Sequence, residues 1–273
     1  MDHSLIQSDS NAIASSPGLL LPFNKTVLFY MVAIGLVSSG LLLLEYYLSF
    51  GLLSVDGYNY IIFARSVINN GWDNALEQFP QAKGIPPLLS LLMILGSEIS
   101  FSLFSVGRFL NIFGTLLACQ GILFICLSIY KSHQTAFLTA LIVISLPKIY
   151  FEGCGILRDP LFWAEISWSV FCLVQLFQDR ILHTKKQILI ISFCVFLSSL
   201  GCLTRKEGLP FLFLALAHCI YIVLFKMTVR PMIRIMFCLL IVLFSGAIVF
   251  LPYIAGIPFV PGNFIVYQFY ELK

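Results

Sequence analysis

The sequence predicts an all-α membrane protein: about seven transmembrane helices, with two juxtamembrane helices in the first outer loop. Three observations carry that expectation. Of 273 residues, 59% are hydrophobic and 11% are charged, where a soluble chain carries roughly 25% charged residues. Apolar stretches close to the ~20 residues needed to cross a bilayer recur along the whole chain. The densest Lys/Arg clusters fall in connectors that a multi-pass topology places on one side. A mean hydropathy of +0.96 leaves no room for a sizeable soluble domain. The pI near 8.4 and net charge of +3 give no footing for a nucleic-acid partner.

Residues 1–25 are polar, Ser-rich and acidic at Asp2 and Asp9. They lack the basic flank and small-residue cleavage site of a signal peptide, and so read as a loosely ordered cytoplasmic tail. The transmembrane module follows over 26–255, and a short outer-face tail over 256–273. The apolar stretches lie at about 26–50, 106–130, 135–151, 160–177, 187–204, 209–226 and 235–254. An eighth, 86–104, is long enough to span, yet its second half holds Gly96, Ser97, Glu98, Ser100 and Ser102.

Orientation separates the alternatives. The connectors QDRILHTKK (178–186) and FKMTVRPMIR (225–234) hold six Lys/Arg between them, which the positive-inside rule puts in the cytoplasm. Counting back, 152–159 is outside, 131–135 inside, and helix 106–130 starts outside. With a cytoplasmic N-terminus, 86–104 then begins and ends outside. It reads as a juxtamembrane helix over 86–102, joining a first one at about 58–70. This arrangement puts Glu45, Asp56, Asp73, Glu77, Glu98, Glu152, Asp159, Glu165, Glu207 and Glu271 at the outer side. Only Asp2, Asp9 and Asp179 remain inside. Arg65, Lys83, Arg108, Lys148, Arg158, Arg205, Lys206 and Lys273 also fall outside. Cations in very short outer loops oppose the usual bias, and an anionic ligand at that face would retain them.

Cysteine supplies no framework. Cys119, Cys126, Cys172, Cys194, Cys202, Cys219 and Cys238 lie in apolar runs, Cys154 falls in a predicted loop, and no CxxC occurs. Small apolar packing residues are the expectation. His218, alone in an apolar helix, is expected as a packed, hydrogen-bonded neutral imidazole.

Four outer segments could carry chemistry. Asp56 sits past the first span, ahead of a helix bearing Tyr60 and Ala64. Lys83 precedes the double proline Pro86-Pro87. In GILRDPLFWAE, Arg158 and Asp159 stand at the head of a span, with Pro160 in its first turn and Glu165 about two turns in. In LTRKEGLPF, Arg205, Lys206 and Glu207 form a charged hairpin ended by Gly208 and Pro210. Each has a plain structural alternative. Asp56 and Asp159 could be N-caps, Lys83 an interface lysine, and 205–207 a solvated turn. Glu165 needs a polar partner, since an acid within a span costs roughly 2.5–3.5 kcal/mol; Arg158 is one candidate. Taken together, a base able to accept a hydroxyl proton and cations able to hold a departing phosphate suit transfer from a lipid-linked phosphosugar.

The chain resembles the C-type (GT-C) integral-membrane glycosyltransferases, the superfamily of the protein O-mannosyltransferases and the lipid A aminoarabinose transferase. Asp56, Tyr60, Ala64 and Gly71 match its acid-then-helix pattern. Pro86, Pro87 and Leu88 match its PP-L segment, and Arg108 through Gly114 its R-L-x-x-x-x-G, with Phe109 for Leu. Asp159-Pro160-Leu161 matches D-P-L. Leu203 through Gly208 matches L-T-R-P-E-G, with Lys206 for Pro. The likeness covers about residues 26–255. Many relatives carry a second acid directly after the first, where this chain has Gly57, and many are longer.

The resemblance implies an inverting transferase of a bacterial inner (plasma) membrane. It would move a sugar from a polyprenyl-phosphate donor to an envelope glycan, lipid or protein on the outer face. Asp56 would be the catalytic base with Asp159 beside it, the two being candidates to share a divalent metal cation. Lys83, Arg205, Lys206 and Arg158 would bind the donor phosphate. Glu165, Tyr60 and Glu207 would orient the acceptor or a cation. The rivals are a non-catalytic carrier or flippase for lipid-linked sugars and an accessory subunit that needs a partner chain.

Overall fold

The computed structural model describes residues 25–48, 55–80, 82, 87–130, 132–178, 184–227 and 229–254, and every regular element among them is helical. In chain order these are α1 (Lys25–Leu48), α2 (Val55–Gln78), α3 (Leu88–Glu98), α4 (Leu103–Ile129), α5 (His133–Ile144), α6 (Pro147–Cys154), α7 (Asp159–Gln178), α8 (Thr184–Thr204), α9 (Gly208–Phe225) and α10 (Pro231–Ile254). Six of them, α1, α4, α7, α8, α9 and α10, are long and apolar enough to cross a membrane. The described helices therefore form an all-helical, multi-pass membrane protein in contact with the bilayer.

The expected straight span at 135–151 is broken. It consists of α5 and α6, bent by 56°. Pro147 is the cause: it opens α6 and cannot donate back to the preceding turn, while Leu146 before it adopts the extended conformation that precedes proline (φ −64°, ψ 127°). Counted as one crossing, the bent pair makes a seventh span.

Element α2 is two helical segments joined at a break. The second continues to Gln78; the first begins at Val55, close to the 58–70 expected, and ends at Gly71 (φ 79°, ψ 169°). That conformation is open essentially to glycine alone. The kink lets Trp72 fold back edge-on to Phe63, their ring centroids 5.8 Å apart, and Phe63 packs with Val67, Ala75 and Leu76. Where a second juxtamembrane helix was expected over 86–102, the structure has the shorter, 11-residue α3. At 1.5 Å per residue it covers roughly 16 Å, about half the hydrocarbon thickness. Pro87 stands immediately before its first residue.

At the centre, α4 and α7 run side by side in the same direction. Small residues on α4 recur at Gly107, Gly114 and Gly121 and meet Ile156, Pro160 with Leu161, and Ser167 in turn. From Gly114 to Gly121 on α4 and from Pro160 to Ser167 on α7 the step is seven residues, which keeps the two faces in register. At Gly114 a side chain would come within 2.9 Å of the Pro160 backbone, so glycine is required by close approach. Polar bonds tie the pair further. The Trp168 indole donates to the Leu117 carbonyl at 2.9 Å, and the Gln175 amide donates to the Ser128 hydroxyl at 2.7 Å. Helix α8 packs on α7 through Ser169 and Ser198, 2.7 Å apart, and on α10 through Ser199, which donates to Ser245 at 3.1 Å. With lipid on the outside, such bonds and close packing hold helices together more than apolar burial does. Phe29, Leu36 and Leu43 of α1, and Met232, Leu239 and Leu243 of α10, are exposed apolar side chains suited to lipid.

The ends of the bundle differ in charge. Every described acid belongs to the end built from the C-terminus of α1, α2, α3, α6, the head of α7 and the α8–α9 turn. The opposite end carries Lys25, Lys185, Lys186, Lys226, Arg230 and Arg234 and no described acid.

Candidate functional site

The acidic end gathers most of the predicted residues. Its scaffold is an apolar cluster in which Tyr60, Ile61 and Ala64 of α2 meet Leu89 and Met93 of α3 and Ile156 of the α6–α7 loop, with Leu161 of α7 against them. The four-residue spacing of Tyr60 and Ala64 places both on one buried face. Asp56, one turn earlier, stays exposed. Packing on Ile156 brings α2 to the loop that carries Arg158. The Tyr60 phenol lies within electrostatic reach of Arg158, Asp56 and Arg205. Burial pushes its pKa up; Arg158 and Arg205 pull it down, Asp56 raises it, and the net shift is upward.

The α8–α9 turn supplies the second wall. Gly208 stacks directly on the backbone of Gly201 and Cys202, so the hairpin closes tightly and holds 205–207 at its tip. The Arg205 guanidinium forms an ion pair with the Asp159 carboxylate through Nη1. It also donates through Nε to Glu207 at 3.1 Å, and its face covers the Phe162 ring at 5.8 Å. Burial alone would raise the Glu207 carboxyl. Its backbone N–H, the Arg205 hydrogen bond and the charges of Arg205 and Arg158 outweigh that, leaving its pKa below the ordinary value. Arg158 is half-buried, and makes no hydrogen bond or ion pair among the described residues. Lys206 is exposed and likewise unpaired among them. Lys83 lies outside the described residues, as do the tails 1–24 and 255–273.

Some expectations fail here for physical reasons. Glu165 does not pair with Arg158. It is 7% exposed, and its oxygens lie 2.9 and 2.7 Å from the Thr204 hydroxyl, which also lies 3.0 Å from the Leu200 carbonyl. Two turns below the head of α7, Glu165 faces α8 rather than the loop. Cys154 is not a loop residue: it ends α6, is buried, and donates from Sγ to the Leu42 carbonyl at 3.1 Å. His218 packs between Phe177 and Tyr221, but its buried Nε2 has no hydrogen-bond partner among the described residues.

Among the described residues no group of three or more His, Cys, Asp or Glu could hold a metal ion. Asp159 is committed to Arg205, and Gly57 adds no ligand beside Asp56.

Sequence reasoning missed three contacts. Thr204 as the partner of Glu165 had no signal beyond a hydroxyl at a helix end. Arg108 lies over the rings of Tyr46 on α1 and of Phe104 one turn earlier on α4, 4.8 and 4.4 Å from their centroids, and the first of these pairings comes only from α1–α4 packing. Asn111 is fully buried and donates to the Glu152 carbonyl at 3.3 Å.

Comparison of the chain with protein-family models, with curated proteins and with solved structures finds no match in any of the three. The fold and the charged end together define the class of protein: an all-helical, multi-pass membrane protein with a cluster of acids and guanidinium groups at one end of its bundle.

Proposed function

We propose that this chain is an inverting glycosyltransferase of a bacterial inner membrane, N-terminus cytoplasmic, with its acidic end on the outer side. It moves a sugar from a polyprenyl-phosphate donor to an envelope glycan, lipid or protein. One observation carries the reading: α2, the α6–α7 loop and the α8–α9 turn bring Asp56, Tyr60, Arg158, Asp159 and Arg205 to one end, beside apolar helices that could hold a lipid tail.

In this reading the Asp56 carboxylate accepts the proton of an acceptor hydroxyl. The acceptor oxygen bonds to the anomeric carbon as the bond from that carbon to the phosphate oxygen breaks, inverting the centre. The electron pair leaves on the phosphate, whose growing charge meets the Arg158 and Arg205 guanidinium groups. Asp159 and Glu207 hold Arg205 in place, and Tyr60 lines the wall between base and cations. Glu165 acts behind the site through Thr204.

The test is mass spectrometry of envelope glycans from a deletion strain, the same strain restored with the wild-type chain, and one restored with Asp56→Asn. A sugar missing from the deletion and from the Asp56→Asn strain at equal protein level supports transfer and names the sugar. A sugar that Asp56→Asn restores removes the base, and the carrier or scaffold reading takes its place.

A further inference from the structure

Glu165 sits inside the α7 span and is 7% exposed, where an ionisable group is costly unless it is paired or neutral. Its protonation follows from counting hydrogens. The Thr204 hydroxyl, fully buried, lies 2.9 and 2.7 Å from the two Glu165 oxygens and 3.0 Å from the Leu200 carbonyl. A hydroxyl has one proton to give, and three acceptor oxygens face it. With Glu165 ionised, that proton serves one of them, and the others turn lone pairs on the hydroxyl oxygen. With a proton on Glu165 the count closes: the carboxyl O–H donates to Thr204 Oγ1, and Thr204 donates to the Leu200 carbonyl. A cation farther off would not change that count.

The surroundings favour the neutral form as well. A side chain at Gly201 would meet Ile166, Phe162 and Glu165 Oε2 at 3.6, 3.7 and 3.9 Å, so the carboxyl shares its space with two apolar side chains. From α8, the Cys202 thiol is within electrostatic reach. Arg205, the residue after Thr204, is held by Asp159 and Glu207. Helices α4 and α9 also pack on α7, and no charged side chain among the described residues acts on Glu165.

We propose that Glu165 is a proton-binding site within the membrane, occupied at neutral pH. Loss of the proton leaves a buried charge against a hydroxyl that cannot neutralise it, and the end of α8 opens in relief. Thr204 leads directly into Arg205, so that opening takes Arg205 from Asp159. Proton occupancy and the Arg205–Asp159 pair are thereby linked. The proposal goes beyond the transfer reading and does not rest on it.

The test is infrared difference spectroscopy of the full chain in detergent at neutral pH, wild type against Glu165→Gln. A carboxylic-acid C=O band is expected in the wild type and is lost in the variant. Thr204→Val, which removes the acceptor of that proton, shifts the same band and keeps the test open should Glu165→Gln not fold. No band lost in Glu165→Gln, or a band that Thr204→Val leaves in place, overturns the proposal. Thermal midpoints test the sign. The stability due to the proton is fully present below the ordinary glutamate value of 4.5 and is lost as pH rises until Glu165 ionises. The wild-type midpoint is therefore expected to fall relative to that of Glu165→Gln as pH rises above that value; midpoints that stay parallel overturn the proposal. The opening of α8 is read at Cys202, 7% exposed, by peptide mass spectrometry after labelling with a neutral maleimide. As pH rises, Cys202 is expected to label faster in the wild type than in Glu165→Gln at the same pH. Equal labelling at every pH overturns the link to Arg205.

Discussion

The Thr204 hydroxyl lies 2.7 Å from one Glu165 oxygen and 2.9 Å from the other, and the next residue, Arg205, pairs with Asp159. Helix α7 is thus held to the end of α8 at two levels, one buried and one at the surface of the site. The upper pair carries the charge, and the lower fixes the height at which α8 ends.

Removing the hydroxyl tests the lower level. Thr204→Val keeps the volume but leaves Glu165 buried without a partner. It is expected to cost about 1–3 kcal/mol, read as a fall in thermal midpoint in detergent. Glu165→Gln keeps a hydrogen-bonding group toward Thr204 and is expected to cost less.

Arg205 reaches Asp159 through one nitrogen and Glu207 through others. A lysine cannot make that fork. On the proposed transfer reading, Arg205→Lys is therefore expected to behave like Arg205→Ala, each lowering sugar transfer about a hundredfold with protein level unchanged. Transfer close to wild type in Arg205→Lys would show that charge alone suffices.

The pH dependence follows from Tyr60 and Glu207. The raised Tyr60 pKa means the fold favours the neutral phenol. That stability is fully present below the ordinary value of 10.0 and is lost as pH rises through the folded value. Tyr60→Phe should flatten the loss of thermal stability above about pH 10. Glu207 has the opposite sign. Its lowered pKa gives a contribution present above the ordinary 4.5 and lost as pH falls, which Glu207→Gln should remove.

Gly71 sits where L side chains are strained whatever the space around them. Gly71→Ala is expected to cost about 1–3 kcal/mol and to disturb the packing of Trp72 on Phe63. Fluorescence of Trp72 alone, in a Trp163→Phe, Trp168→Phe background, would report it.

Topology is open to labelling. Ser132 in the α4–α5 turn and Lys206 in the α8–α9 turn are both exposed. Cysteines introduced by Ser132→Cys and Lys206→Cys are expected to react from opposite sides of sealed vesicles. Reaction of both from one side would contradict the helix count.

Composition and apolar run length alone determined that this is a multi-pass helical membrane protein and where its spans lie, because the bilayer demands long apolar helices whatever they pack against. The glycine at 71 was legible as the end of a helix, and the first segment of α2 does end there; the proline at 147 lay unread inside one apolar stretch, which became a bent pair. Partner choice came only from tertiary structure. Glu165 turned to Thr204 instead of Arg158, Arg205 took Asp159, and Cys154 went inside, since each depends on which helices lie side by side and at what height. Those heights are set by the close approach of α4 to α7 at Gly114 and of α9 to α8 at Gly208. No single helix carries that information.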